Sequence, residues 1–345
     1  MLKKSIPNNK IIVVLGPTSS GKSDVAIKLA KKFNGEIISA DSRQIYRGMD
    51  IGTGKVEPDR PGEIPRKFIN NKFCSGSRRN KIFYSKGIPH YMIDIINPQT
   101  DFTAAQFKKK AEKIIVGILK CGKLPIICGG TGFWIKSLVD NIVYPEVAPN
   151  KVLRSKLRNK STEELFKILK KLDPVRAKNI DSKNPIRLIR AIEICKKLGK
   201  VPTLECHPEL VSGSKNKTEM LKRVQHDNIY DFLQIGISQP KEELHEKIKL
   251  RLKKRFAAGM IDEVEKLHTK NKLSWKKIES FGLGYKLIPQ YLRGEIKSKE
   301  ELLEKIYLAE KNYAKRQMTW FKKDKIIKWL EDYKKIEKEV ETFLF

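Results

Sequence analysis

An eight-residue stretch near the start of the chain limits the fold most strongly. Residues Gly16–Ser23 fit the pattern G-x-x-x-x-G-K-[ST] of phosphate-binding loops. The five apolar residues Ile11–Leu15 precede this loop and predict a buried strand. Val25, Leu29 and Phe33 follow it at four-residue spacing and predict a helix. A loop of this kind between a strand and a helix predicts an α/β fold with a phosphate site at the end of the first strand.

The chemistry of the loop follows from its residue types. Glycines at positions 16 and 21 let the backbone wrap with its N–H groups pointing inward, and the following helix adds the positive end of its dipole. Lys22 supplies a mobile cation to terminal phosphates, and the Ser23 hydroxyl is a ligand for Mg²⁺. The motif alone does not identify the phosphorylated compound.

The charge of the chain is unusual. Its 345 residues, enough for about two domains, carry 72 Lys and Arg against 40 Asp and Glu, a net charge of +32. This surplus favours a polyanionic partner, with nucleic acid ahead of an anionic membrane surface. A lysine-rich proteome is the alternative explanation, and composition alone leaves it open.

Several absences in the sequence predict a cytoplasmic protein. The longest apolar runs are far shorter than the roughly 20 residues that a membrane-spanning helix needs, and residues 7–10 interrupt any signal peptide. The five cysteines include no C-x-x-C pair. This pattern predicts reduced thiols, without a disulfide framework or a zinc site.

Two further strand ends bear on the phosphate site. Glu36–Ala40 predicts a second strand, and Asp41 follows it at the edge where ligands bind in open α/β sheets. Asp41 is interpreted as a catalytic or metal-directed carboxylate, with a turn or helix cap as the alternative. Leu124–Cys128 predicts another buried strand, but it ends in Gly129-Gly130-Thr131 where a motor ATPase would carry an acidic residue.

The later chain predicts a helical insertion and returning core elements. A capping box at Ser161 and a helix beginning at Asn184 belong to the insertion, and Arg187 and Arg190 lie near each other on the second of these helices. A solvated face and a phosphate-binding face are comparably good explanations for this arginine pair. Polar residues 58–87 and 207–228 predict surface loops, the first partly disordered.

Basic residues mixed with aromatics mark the C-terminal region. Lys315–Lys322 combines lysines and an arginine with Trp320 and Phe321, a pattern typical of nucleic-acid contacts. Arg251, on a long basic helix, is either a surface residue or a second cation at the phosphate site. The combined elements predict an α/β core, a parallel sheet flanked by helices like that of P-loop NTPases, at 1–140 and 228–345, with an inserted helical domain at 141–227.

Taken in order and spacing, these motifs resemble those of the tRNA dimethylallyltransferase (isopentenyl-tRNA transferase) family over most of the chain. The matching stretches are Gly16–Ser23, Ser39–Tyr46, Gly48–Thr53, His90–Ile95, Gly129–Phe133 and Lys315–Trp320. Residues 58–87 and 207–228 are longer than expected for the family but lie outside the motifs. The resemblance implies transfer of a dimethylallyl group from dimethylallyl diphosphate to the exocyclic amine of the adenosine adjacent to the anticodon.

The resemblance also implies roles for individual residues. Lys22 and Arg251 would neutralise the leaving group, Asp41 would be the general base, and Thr131 would contact the target nucleotide. Ser23 would hold Mg²⁺. The diphosphate would bind to Gly16, Pro17, Thr18, Ser19, Ser20, Gly21, Lys22 and Ser23.

Binding of tRNA is the other function that the resemblance assigns, both to the inserted domain and to the C-terminal helices of the core. The contact residues would be Asp41, Ser42, Arg43, Gln44, Thr131, Arg154, Ile186, Arg187, Leu188, Ile189, Arg190, Phe281, Gly282, Leu283, Gly284, Tyr285, Lys286, Lys315, Arg316, Gln317, Met318, Thr319, Trp320, Phe321 and Lys322. The expected partners are the anticodon stem-loop and dimethylallyl diphosphate, without a membrane, and nothing requires more than a monomer.

Two other functions remain as alternatives. A small-molecule or nucleoside kinase would bind ATP at the same loop, but it has no need of a basic, aromatic C-terminal helix. A non-enzymatic RNA-binding module with a phosphate loop would not require Asp41. The sequence does not indicate which tRNAs are modified or whether the modified base is processed further.

Overall fold

The computed structural model describes residues 9–60, 82–202 and 230–345. These residues form two compact units. Residues 9–139 and 230–345 build the first unit, and residues 140–202 belong to the second.

A seven-stranded sheet forms the centre of the first unit. Its spatial order is β3-β4-β2-β5-β1-β6-β7, and every neighbouring pair is parallel except β3 and β4. The strands are β1 (Lys10–Leu15), β2 (Gly35–Ser39), β3 (Phe83–Ser85), β4 (Ile88–Tyr91), β5 (Leu124–Gly129), β6 (Asp231–Ile237) and β7 (Lys328–Leu330). The predicted α/β fold with a mainly parallel sheet is confirmed.

Helices cover both faces of this sheet. They are α1 (Lys22–Lys32), α2 (Ala104–Lys120), α3 (Gly132–Val139), α8 (Lys241–Ala257), α9 (Met260–Thr269), α10 (Trp275–Glu279), α11 (Gly284–Leu292), α12 (Lys299–Phe321) and α13 (Tyr333–Leu344). Thr103 caps the N-terminus of α2, and its side chain and that of Gln106 form a reciprocal capping box.

Alternation along β1 divides the core into two layers. Ile11, Val13 and Leu15 belong to one apolar cluster, with side chains of α2, α3, α9, α11 and α12. Ile12 and Val14 belong to the other, with side chains of α1 and α13. Successive side chains of a strand point to opposite faces, so a strand buried on both faces is apolar throughout.

The second unit is helical. Its helices are α4 (Lys151–Arg158), α5 (Thr162–Leu172), α6 (Pro174–Lys178) and α7 (Pro185–Leu198). The predicted capping box at Ser161 and the cap at Asn184 are both present. Leu165, Leu169 and Leu188 are fully buried in a separate apolar cluster.

Some local predictions fail. The predicted loop 58–87 contains β3 near its end, where Phe83 and Tyr84 pair with β4, so the loop prediction is wrong for these residues. Residues 61–81 lie outside the described residues. Most of the predicted loop 207–228 lies in the undescribed range 203–229. Cys128 and Cys195 are free, but Cys121 is disulfide-bonded, so the prediction of reduced thiols is wrong for Cys121. The prediction failed because an odd number of cysteines still allows one disulfide.

No helix within residues 9–60, 82–202 or 230–345 is long and apolar enough to cross a membrane.

Candidate active site

A cavity of about 360 Å³ opens at the carboxyl ends of the central strands. The phosphate loop, the segment after β2 and the loop Gly52–Val56 contribute to its lining, together with side chains of α8 and α12. Ligands bind at this edge of open α/β sheets because the strand ends and the following helix N-termini leave polar groups free.

The phosphate loop adopts the conformation that its glycines permit. Gly21 has a left-handed φ of 82° and immediately precedes α1. The Ser19 hydroxyl oxygen is buried and has no hydrogen-bond partner among the described residues, although Ser19 lines the cavity. A buried polar atom without a partner is costly, so a ligand that accepts its proton would stabilise it.

Lys22 is a half-buried cation of this loop. Its Nζ donates to the Pro17 carbonyl oxygen at 2.8 Å. Burial lowers the pKa of the Lys22 ammonium below its usual range, and the positive charge of Arg251 acts in the same direction, against Asp41. A bound anion would reverse this shift, since an opposite charge favours the protonated amine.

Arg251 extends from α8 to the same place. One guanidinium nitrogen lies 3.5 Å from Thr18 Oγ1, and another donates to the Gly54 carbonyl oxygen at 2.8 Å. Burial and the neighbouring Arg255 lower the pKa of Arg251 from its usual value. The expectation that Arg251 is a second cation at the phosphate loop is supported by this position, whereas the surface alternative is not.

Asp41 lies at the carboxyl end of β2 and lines the cavity. Its Oδ1 accepts hydrogen bonds from the N–H groups of Arg43, at 2.9 Å, and Gln44, at 3.4 Å. One carboxylate oxygen of Asp41 therefore caps the turn, as the alternative interpretation predicts. The other oxygen, Oδ2, has no hydrogen-bond partner among the described residues, so it is available to a substrate.

Thr131 supports the Asp41 turn from the end of β5. Its Oγ1 accepts the Ser42 N–H at 3.0 Å, and Thr131 does not itself line the cavity.

Gln317 connects α12 to the phosphate loop. This side chain is 7% exposed. Its Oε1 accepts the Thr18 N–H at 2.9 Å, and its Nε2 donates to the Gly130 carbonyl at 2.8 Å. Gln317 was expected to contact tRNA, but both ends of its amide are occupied inside the protein.

Of the other residues predicted to contact tRNA in the first unit, some are buried and others are exposed. Phe281, Tyr285 and Phe321 are buried in the core, and Gly284 is also buried. Arg43 donates to the Phe281 carbonyl at 2.7 Å and lies over the Tyr313 ring. The exposed members of the set are Lys286, Lys315, Arg316, Thr319, Trp320 and Lys322, with Ser42, Gly282, Leu283 and Met318 partly exposed.

In the second unit, the residues predicted to contact tRNA also include both buried and exposed side chains. Leu188 and Ile189 are buried, whereas Ile186 and Arg187 are exposed. Arg154 and Arg190 both donate to the buried Glu193, in bonds of 2.5 to 2.9 Å.

Hydrogen bonds from Arg154, the Asn150 N–H and Arg190 outweigh the effect of burial on Glu193 and lower its pKa to about 2. This carboxylate is therefore ionised at neutral pH, and it holds the two arginines side by side.

Several residues at the cavity were not predicted. Arg255, Glu310 and Tyr313 line it, as do Gly52 and Gly54. Arg255 was detectable, because it lies one helical turn after Arg251 and so shares its face. Nothing in the sequence pairs Glu310 with Arg255, since 55 residues separate them.

Family models match nearly the whole chain. The model described as "IPP transferase" matches residues 72–324, and the model described as "Isopentenyl transferase" matches residues 9–77. The chain is 36% identical over 341 residues to a tRNA dimethylallyltransferase of Halothermothrix orenii, covering 96% of this chain and 92% of the relative. It is 37% identical to one from Caldanaerobacter subterraneus subsp. tengcongensis, covering 95% and 94%.

A solved structure is similar as well. The tRNA delta(2)-isopentenylpyrophosphate transferase of Staphylococcus epidermidis superposes with a TM-score of 0.62 at 34% identity. The match covers 97% of this chain and 98% of that one.

Proposed function

The chain belongs to the IPP transferase family, and from this premise we propose that the cavity beside the phosphate loop is its active site. The chain is a prenyltransferase that transfers a dimethylallyl group to tRNA, and the kinase alternative is not favoured. The observation that carries the proposed site is the presence of Lys22, Arg251 and Asp41 around one cavity.

The two cations would act on the leaving group. Breaking the bond between the allylic carbon and the diphosphate oxygen leaves both electrons on that oxygen. Lys22 and Arg251 are half-buried, so water screens their charges incompletely and they would stabilise the diphosphate as it departs. The phosphate loop from Gly16 to Ser23 would hold the diphosphate through its backbone N–H groups.

Asp41 would act on the acceptor. The exocyclic amine of the adenosine adjacent to the anticodon would form the new N–C bond, and its proton would pass to Asp41 Oδ2. The Oδ1 bonds to the turn fix the carboxylate in place. A carboxylate in a cavity is reached only by a base outside its stack, so the adenosine would be flipped out. The product would be N6-dimethylallyladenosine.

The donor set suits Mg²⁺ bound mainly through substrate. Within the described ranges no three His, Cys, Asp or Glu side chains form a metal site, whereas the Ser23 hydroxyl lines the cavity beside the expected diphosphate. Mg²⁺ commonly takes one or two protein ligands and completes its shell with phosphate oxygens and water. Ser23 would hold it, and the ion would neutralise part of the diphosphate charge.

Exposed basic residues would bind the anticodon stem-loop. Lys315, Arg316 and Trp320 on α12, and Ile186 and Arg187 on α7, are exposed and suit this role. Changing both Lys315 and Arg316 to alanine should weaken stem-loop binding and flatten its salt dependence, because fewer counterions are released. An unchanged salt slope would exclude α12 as the contact. The monomeric state and cytoplasmic location stay predictions.

The Asp41→Asn variant tests the proposed base. Asparagine keeps the Oδ1 acceptor for the turn but cannot take a proton, so kcat should fall about 10²- to 10⁴-fold with stem-loop affinity retained. Asp24→Asn is the matched control, since Asp24 lines the same cavity with an exposed side chain. Full activity in Asp41→Asn, or equal losses in both variants, would reject Asp41 as the base.

A further inference from the structure

The loop Asp50–Gly54 lies at the cavity and has no role in the reaction as described so far. Glu263 of α9 holds it by accepting three successive backbone N–H groups, those of Asp50 at 2.7 Å, Ile51 at 2.7 Å and Gly52 at 3.0 Å. Glu263 is buried, and the Tyr285 hydroxyl donates to it at 2.7 Å. Four donors on one buried carboxylate fix the loop backbone rigidly.

The same loop contacts two arginines of α8. The Gly52 carbonyl accepts from Arg255 at 2.9 Å, and the Gly54 carbonyl accepts from Arg251 at 2.8 Å. The arginines are one helical turn apart, so both point to one side of the helix. The loop thus meets both guanidinium groups with backbone oxygens, while the N–H groups of its first three residues are bound to Glu263.

The two arginines differ in charge compensation. One terminal nitrogen of Arg255 donates to both carboxylate oxygens of Glu310, at 2.8 and 2.6 Å, and both side chains are buried. Within the described part of the chain, Arg251 has no ion pair with a carboxylate; its contacts are Gly54 and Thr18. Arg251 therefore keeps a full positive charge at the cavity, and neutral oxygens orient it.

Gly54 leaves the space that the Arg251 guanidinium occupies. A Cβ on Gly54 would lie 1.9 Å from an Arg251 terminal nitrogen. The end of an arginine side chain moves more easily than the backbone, so an alanine at position 54 would push the guanidinium from its place. Gly48, near the same loop, also has a left-handed φ, of 73°, but a Cβ there would meet no atom closer than 4.0 Å.

We propose that the loop Asp50–Gly54, held by Glu263, is a positioning element that aims Arg251 at the diphosphate. Glu263 is then a positioning residue that acts through the loop and touches no substrate. This inference rests on the proposed function of Arg251 in neutralising the diphosphate.

Binding of inorganic pyrophosphate with Mg²⁺, measured by calorimetry, tests this proposal without requiring turnover. Gly54→Ala should weaken pyrophosphate binding about tenfold, the loss of one well-placed charged hydrogen bond. Gly48→Ala imposes similar backbone strain in open space and should change the affinity less than twofold. Thermal unfolding of both variants shows whether they fold alike.

A double-mutant cycle with Arg251→Ala separates the two claims. If Gly54 acts through Arg251, adding Gly54→Ala to Arg251→Ala changes pyrophosphate affinity no further. If Arg251→Ala alone leaves the affinity unchanged, the proposed function of Arg251 is wrong. If Arg251→Ala weakens binding but Gly54→Ala has no effect, or has its full effect in the double variant, only the positioning role is wrong.

Glu263→Gln provides a second variant that leaves the cavity lining intact. Its amide nitrogen would face a backbone N–H or the Tyr285 hydroxyl in place of an acceptor, so the loop would loosen. Pyrophosphate affinity should fall, with stem-loop affinity retained. Loss of both affinities in parallel with a lower unfolding temperature would show a merely structural role and overturn the assignment of Glu263.

Discussion

Each unit of the protein contains two arginines beside one buried glutamate. The two clusters differ in how many of the arginines bond to that glutamate. In the first unit, Glu310 pairs with Arg255 alone and leaves Arg251 without an ion pair among the described residues. In the second unit, Glu193 takes hydrogen bonds from both arginines. Both clusters therefore keep one excess positive charge. In the first it lies on Arg251 at the cavity, and in the second it is shared between two arginines that both bond to Glu193.

Exposure adds to this difference. Arg255 is buried and Arg251 is half-buried, so removing a charge there changes the local electric field strongly. The side chains of Arg154 and Arg190 are 31% and 35% exposed, so water screens them. We infer that the number of carboxylates available to each arginine, rather than the number of arginines, decides which cluster supports leaving-group chemistry.

The largest effect should come from Arg251→Ala. Loss of the uncompensated cation removes stabilisation of the departing diphosphate, and kcat should fall about 10²- to 10³-fold. Lys247→Ala is the control, because Lys247 lines the same cavity one turn earlier but is exposed. Single-turnover transfer rates measure both. Equal losses would mean that general positive charge, and not the placement of Arg251, matters.

Replacing Glu310 or Glu193 should change the free energy of unfolding by different amounts in the two clusters. Glu310→Gln leaves Arg255 buried with an uncompensated charge and should lower the free energy of unfolding by about 3–5 kcal/mol. Glu193→Gln should cost less, because water can solvate its two arginines. Denaturant unfolding monitored by circular dichroism gives both values. A larger loss for Glu193→Gln would contradict the comparison.

Salt dependence distinguishes paired from unpaired arginines on α7. Arg187 is exposed and makes no ion pair within the described ranges, so Arg187→Ala should reduce the salt slope of stem-loop binding by about 1. Arg190→Ala should reduce the slope less, since Glu193 already compensates part of its charge. Binding isotherms at several salt concentrations provide the slopes. Identical slopes in the two variants would argue against compensation by Glu193.

The smallest effect concerns acid stability. The pKa of Glu193 is lowered to about 2 in the folded protein from its usual value of 4.5, because Arg154, the Asn150 N–H and Arg190 donate to it. A carboxyl whose pKa is lowered on folding contributes stability that is present above the unfolded value and lost as the pH falls toward the folded one. Glu193→Gln should therefore flatten the loss of unfolding temperature between about pH 4.5 and pH 2. If the unfolding temperature of Glu193→Gln depended on pH as that of the unchanged protein does, the ion pairs of Glu193 would be excluded as a cause of the loss of stability in acid.

Much of the first unit was predictable because its signals are local. The phosphate loop and the apolar strands β1 and β5 are determined by residues close in sequence. The same holds in the second unit for the caps at Ser161 and Asn184. Short elements were missed: β3 and β7 contain three residues each, too few for a pattern, and they form only by pairing with a neighbour already in the sheet.

The fine structure of the site was not predictable, because it depends on contacts between distant parts of the chain. Glu263 holds a loop more than 200 residues earlier, and Gln317 reaches the phosphate loop from the other end of the chain. The family resemblance implied that Gln317 and Phe321 contact tRNA, yet both are buried. Composition indicates which helix is basic, but helix packing decides which of its side chains face inward.

Transfer of labelled dimethylallyl to RNA tests the central claim most directly. The labelled diphosphate would be incubated with an anticodon stem-loop, with ATP as the competing substrate in a parallel reaction, and the RNA would be digested to nucleosides. We expect the label in N6-dimethylallyladenosine from the position adjacent to the anticodon, with ATP unhydrolysed. Absence of label in the RNA, together with consumption of ATP, would make the phosphate loop a nucleotide site and contradict the assignment of the cavity.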